Sequence, residues 1–202
     1  MYTWRKLTPA QREATLRSRR QCGYPWHGQP HFEYDLPHFF HLSAACYQHQ
    51  ALIGRSSERM AEFEAELLTG LRDGGNEIRA WCVLPNHWHA LAKTPDLKAL
   101  AKRVGRVHGR TSREWNRDEN TQGRTCWFGC SDRRIRSEAH FWATMNYIHH
   151  NPVHHGYADR WQDWPYSSAM DWIAGVGEGE ARRVWQDYPI LDYGKGWDDP
   201  DM

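Results

Sequence analysis

The 202-residue sequence predicts an α+β fold: a ferredoxin-like βαββαβ sandwich with one antiparallel sheet, an N-terminal helical arm and an additional C-terminal helix. Three observations lead there. Short apolar runs of strand length alternate with stretches whose apolar residues recur every three or four positions, and each change of period marks a change of element. Turn-forming residues fall between the runs, at Asp73-Gly74-Gly75-Asn76 and at Pro85-Asn86. Strand, helix, two strands, helix and strand is an order in which helices cover one face of a sheet and leave the other face free for a ligand.

Thr8 followed by Pro9 has the form of an N-cap and first helical position, which predicts a short basic helix from about Pro9 to Arg20. A Gly/Pro-rich stretch from Cys22 to Pro37 follows, so residues 1–36 are expected to be an appended basic arm. His38 to Cys46 is aromatic-rich and of strand length. Glu58 to Arg72 places Met60, Phe63, Leu67 and Leu71 at helical spacing, and Ile78 to Leu84 reads as a buried strand. His87 to Lys93 forms the third strand. Asp96 can then cap a long amphipathic helix with the stripe Leu97, Leu100, Ala101, Val104, Val107, Thr111, Trp115, its basic residues lying mostly off the stripe. Thr125 to Phe128 is the expected fourth strand. Ser137 with Glu138 opens another helix through His140 to His150, which Pro152 is expected to stop.

The length suits one catalytic domain, taken as residues 37–170, with an acidic tail over 171–202. No run approaches the ~20 apolar residues of a membrane span, and the start lacks the apolar core of a signal peptide, so a cytoplasmic protein without a membrane partner is expected. Five scattered cysteines, Cys22, Cys46, Cys82, Cys126 and Cys130, argue for reduced thiols rather than a disulfide framework. The formal net charge of +1 hides an asymmetry. Leu97 to Arg136 carries eleven basic residues against four acidic ones, whereas eight acids stand against three bases from Asp171 onward. Such a basic middle suits a polyanion, or is a solvated helix face. Lys98, Lys102, Arg103, Arg106, Arg110, Arg133, Arg134 and Arg136 are the candidate contacts to the phosphates of such a partner.

Side chains two apart on a strand share a face, so His87 and His89 project together while Trp88 turns toward the helices. Two such imidazoles suit a borderline divalent metal and leave positions for an oxygen ligand and a phosphate. On the later helix Tyr147 and Asn151 are one turn apart and share a face, while Phe141, Met145 and Ile148 form another, apolar one. Tyr147 is then either a rim residue with its hydroxyl in water, or a nucleophile beside a third metal ligand, the Asn151 amide oxygen.

Leu84-Pro85-Asn86-His87-Trp88-His89-Ala90-Leu91, followed by Tyr147-Ile148-His149-His150-Asn151-Pro152-Val153 and then Trp164-Pro165-Tyr166-Ser167-Ser168, resembles the REP-associated tyrosine transposases of the wider HUH class. The likeness covers roughly Pro37 to Ala169, and the ordered set of three motifs is more specific than any one. It implies a ferredoxin-like, metal-dependent single-strand DNA endonuclease and strand transferase acting on hairpin-forming repeated palindromes. His87 and His89 match the metal-binding histidines, Tyr147 the catalytic tyrosine and Asn151 the polar third ligand. The implied cofactor is Mg²⁺ or Mn²⁺, the intermediate a 5′-phosphotyrosine, and the partner single-stranded or hairpin DNA met by a monomer or a homodimer. Three alternatives stand beside it: a hairpin-binding module without cleavage, a zinc-binding structural protein built on Cys126, Cys130 and the nearby histidines, and a replication initiator or relaxase of the same class. Trp164 is expected to be structural.

Overall fold

The computed structural model describes residues 38–191 and 193, with positions 8, 10, 13, 14 and 17. The described residues from 38 to 193 belong to one compact unit. Positions 10, 13, 14 and 17 are helical; the rest of the expected arm, and the end of the acidic tail, lie outside the described residues.

Four strands form one sheet in the order β2-β3-β1-β4: β1 His38–Ala45, β2 Glu77–Val83, β3 His87–Thr94 and β4 Ser131–Arg134. Every neighbouring pair is antiparallel, and β1 runs against β3 from His38↔Thr94 to Ala45↔His87. Helices α1 (Ser57–Arg72) and α2 (Leu97–Asp118) follow β1 and β3. Each is capped as its sequence allows: Ser56 Oγ accepts from Arg59 N at 3.1 Å, and Asp96 Oδ1 from Ala99 N at 2.8 Å. Gly74 and Gly75 take φ of 78° and 77° to turn the chain from α1 into β2, a conformation that only glycine adopts without strain.

Alternation on the central strands places the core. Phe40, Leu42 and Ala44 of β1 and Trp88, Ala90 and Ala92 of β3 share one sheet face, and pack with Phe63 and Leu67 of α1 and Leu100, Val104 and Trp115 of α2. Within it His108 accepts from Trp88 Nε1 at 3.1 Å and stacks on Trp127 with ring centroids 4.1 Å apart. Burial pushes the His108 imidazole down to about 4. The unfolded chain therefore takes up a proton near pH 6.5 that the folded chain refuses, so the stability of the neutral form is whole above pH 6.5 and is lost as pH falls toward 4. Urea melts should show this loss at up to ~1.4 kcal/mol per pH unit. His108→Gln, which keeps an acceptor for Trp88, should flatten that slope.

Three expectations need correction. The fourth strand is Ser131–Arg134, not Thr125 to Phe128, which joins the β1 end only through the Cys46↔Trp127 bridge and flanking hydrogen bonds. Trp127 instead wedges against Phe63, with ring centroids 5.1 Å apart. The true strand, Ser-Asp-Arg-Arg, is a polar edge with no apolar alternation to reveal it, and only its pairing with β1 defines it. Second, α3 runs Glu138–His154 with Pro152 inside it. A proline so close to the end removes one backbone bond, and His155 N still reaches Asn151 O at 3.1 Å, so the last turn survives. Third, the other sheet face is not free. Helix α3 lies on it, with Phe141 edge-on to Phe39 at a centroid distance of 4.9 Å.

Beyond α3 the acidic region begins with two helices, α4 Ala169–Val176 and α5 Glu178–Asp187. Asn146 Nδ2 ties α3 to that region, donating to Tyr188 O at 2.8 Å. Among the described residues no helix is long and apolar enough to cross a membrane.

Candidate active site between the sheet and helix α3

The face of β3 opposite the core presents His87 and His89, 2% and 1% exposed. Helix α3 lays Tyr147 and Asn151 over them, one turn apart, with its C-cap His155 beyond. His87 Nε2 is 3.0 Å from Asn151 Oδ1, and its Nδ1 is 2.8 Å from Asn86 Oδ1. The Tyr147 ring is edge-on to His89 with centroids 5.3 Å apart, and the His155 ring lies 4.9 Å from that of His87. All four residues assigned to the reaction, His87, His89, Tyr147 and Asn151, thus meet in one place although some sixty positions separate the strand from the helix.

Tyr147 is not a rim residue. It is 5% exposed and Asn151 1%, because α3 is covered by the sheet on one side and by the C-terminal region on another. Four polar groups are therefore gathered in a closed site rather than an open cleft.

The third sequence motif holds this arrangement. Tyr166 to Ser168 runs antiparallel to β2, with Val83 N donating to Tyr166 O at 2.8 Å and Ser168 N to Trp81 O at 3.1 Å. Trp164 Nε1 donates to Val83 O at 2.8 Å. Ser168 Oγ also accepts from Trp81 N at 2.9 Å and lies 2.9 Å from His149 Nε2, joining the edge strand to α3. His149 is buried on the side of α3 away from Tyr147, and burial pushes its imidazole down to about 3. It serves as a neutral strut.

Two neighbours of Tyr147 escaped the sequence reading. His41 of β1 is 4% exposed, with its Nε2 3.1 Å from His89 Nδ1 and its ring centroid 5.8 Å from that of Tyr147. It was hidden in an aromatic run that reads as apolar; the signal was its parity with Ser43, which pairs with His89. Tyr193 lies 5.4 Å from Tyr147 by ring centroids, its hydroxyl 2.6 Å from Thr144 Oγ1. Burial raises the Tyr193 phenol, an effect that the Thr144 hydrogen bond opposes.

The candidate DNA contacts separate. Arg133 pairs with His41 and shares its face, whereas Arg134 pairs with Phe40 and faces the opposite way, its Nη2 3.3 Å from His38 Nε2. Burial pulls the Arg133 guanidinium down, opposed by the phenols of Tyr193 and Tyr147, so it stands within electrostatic reach of both. Arg136 is exposed in the turn before α3. Lys98, Lys102, Arg103, Arg106 and Arg110 ride on α2, across the sheet from His87 and His89. Arg103 is bound to Asp73 and Arg110 to Glu66, each at 2.9 Å, while Lys98, Lys102 and Arg106 are exposed.

Among the described residues no three His, Cys, Asp or Glu side chains converge on a metal position, so Cys126 and Cys130 do not combine with the histidines as the zinc alternative requires. A set of two imidazoles and an amide oxygen is a different kind of site, and His87 fits it. Both of its nitrogens face amide oxygens, yet a neutral imidazole has one N–H. With Nδ1–H donating to Asn86, the His87 Nε2 lone pair and Asn151 Oδ1 are the two donor atoms that would hold a cation there.

Known proteins resemble the chain in sequence and in fold. The profile of the family described as Transposase IS200 like matches residues 38–151. A Haemophilus influenzae protein named as a REP-associated tyrosine transposase is 30% identical over 106 residues, which cover 46% of this chain and 58% of that protein. A solved structure of a REP-associated tyrosine transposase bound to a REP hairpin superposes with a TM-score of 0.55 at 21% identity, covering 72% of this chain and 86% of that one. At that identity the superposition speaks for the fold.

Proposed function

The chain belongs to the IS200-like transposase family, and we propose that it cleaves and rejoins one strand of hairpin-forming DNA through a covalent link to Tyr147, with Mg²⁺ or Mn²⁺ held by His87, His89 and Asn151. The observation that carries this reading is the meeting of the Tyr147 ring with His89 at 5.3 Å and of His87 Nε2 with Asn151 Oδ1 at 3.0 Å.

In the proposed reaction the Tyr147 oxygen attacks the scissile phosphorus in line with the 3′ oxygen opposite it. A phosphorus–oxygen bond to tyrosine forms, the bond to the 3′ oxygen breaks, and the phenol proton leaves as the 3′ end gains one. The 5′-phosphotyrosine keeps the energy of the broken ester, so a later 3′-hydroxyl can reverse the step without ATP. A metal, when bound, neutralises charge on the non-bridging oxygens. Asn86 holds the His87 ring through Nδ1, which turns Nε2 toward Asn151 Oδ1. Arg133, on the same face as His41 and within electrostatic reach of Tyr147, is a cation for a strand entering the site, while the exposed Lys98, Lys102 and Arg106 meet other phosphates of the hairpin from the far face. Since one chain supplies every group, a monomer suffices.

Burial of all four groups favours a second reading, a hairpin-binding module whose chemistry stays closed. Incubation with a labelled hairpin flanked by single strands, in Mn²⁺, separates the two. A protein–DNA band that survives denaturation is expected. A mobility shift without that band would favour binding alone, and no shift would remove both.

A further inference from the structure

His41 brings a third imidazole to the site, one that neither the metal set nor the nucleophile requires. The sheet register puts it there: Ser43 pairs with His89 and His41 with Leu91, so His41 is the diagonal neighbour of His89 on one face. Its Nε2 lies 3.1 Å from His89 Nδ1, and both rings are buried. Two imidazole nitrogens at that distance share a single hydrogen, and the ring that owns it decides what the other end of His89 can do. If His89 Nδ1–H is the donor, Nε2 carries a lone pair and can bind a cation. If His41 Nε2–H is the donor, a neutral His89 has its proton on Nε2 and cannot.

Resting on the metal reading above, we propose that His41 is a positioning residue: its Nε2 accepts from His89 Nδ1–H, which holds the His89 ring in place and locks the tautomer whose Nε2 lone pair a metal takes. His41 then keeps its own proton on Nδ1. Outer-sphere partners of this kind orient metal-bound histidines generally, and their loss weakens metal binding. The same ring stands edge-on to Tyr147 at a centroid distance of 5.8 Å, so it also spaces the ligand from the nucleophile.

The test uses the full chain with ¹⁵N-labelled histidine, where two-bond nitrogen–proton correlations report each tautomer and His89→Gln assigns the signals. In the metal-free wild type His89 should be protonated on Nδ1. His41→Phe keeps a ring but no acceptor and should shift His89 toward the Nε2–H form; His41→Gln, whose amide oxygen can accept, should restore Nδ1–H. Mn²⁺ affinity, read by electron paramagnetic resonance, should fall about 10- to 100-fold in His41→Phe and recover in His41→Gln. A wild-type His89 protonated on Nε2 overturns the proposal, as does a His41→Phe protein with unchanged tautomer and affinity. The wild-type spectrum needs no variant, so a misfolded substitution does not blunt the test. If the wild type binds no Mn²⁺ at all, the metal reading fails, while the tautomer still decides what His41 does.

Discussion

Tyr147→Phe is expected to bind hairpin DNA as the parent does and to form no covalent adduct with it. The phenol oxygen is the only atom removed, and the ring that packs edge-on to His41, His89 and Tyr193 remains, so the fold should be unchanged. Removing a covalent nucleophile costs on the order of 10⁶ in rate where it has been measured, which puts the adduct below detection on a denaturing gel. An adduct that persists would assign the chemistry elsewhere. Tyr193 is the group to examine then, since it shares the Arg133 field.

His87→Ala should abolish the difference between cleavage with and without Mn²⁺. It deletes one of the two imidazoles proposed to hold the metal and at the same time leaves the Asn151 oxygen without the nitrogen 3.0 Å away. Neutralising transition-state charge is worth several kcal/mol, so cleavage should fall about 10³-fold or more. Circular dichroism and hairpin binding should stay near the parent values, because the site lies on the sheet face away from the main core. Equal Mn²⁺-dependent cleavage in parent and variant would remove His87 from the ligand set.

Much of the site was legible because its signals are local. His87 and His89 are two apart on a strand and must share a face; Tyr147 and Asn151 are four apart on a helix and must do the same. Each pair could be named before it was known that they meet. What local spacing does not carry is which surface covers which. The Leu97 to Asp118 helix is correctly amphipathic, yet its cations point away from the histidines because its apolar stripe docks on the even-numbered residues of β1 while His41 lies among the odd-numbered ones. Arg133 and Arg134 are adjacent in sequence and opposite in space for the same reason, the two-residue period of a strand whose existence the composition concealed.

By itself the sequence determined the order of the first three strands and of the helices as far as α3, the two short pairings of candidate site side chains, and the polar character of the groups to be gathered. All of these depend on periods of two and 3.6 residues, which a chain carries wherever it is placed. Tertiary structure alone decided that α3 closes the sheet face instead of leaving it bare, that Ser131–Arg134 and not Thr125–Phe128 is the fourth strand, and that His41 stands behind His89. Those outcomes come from registry between strands about fifty to ninety residues apart, where hydrogen-bond pairing and burial of the whole sheet, not the propensity of any segment, select the arrangement.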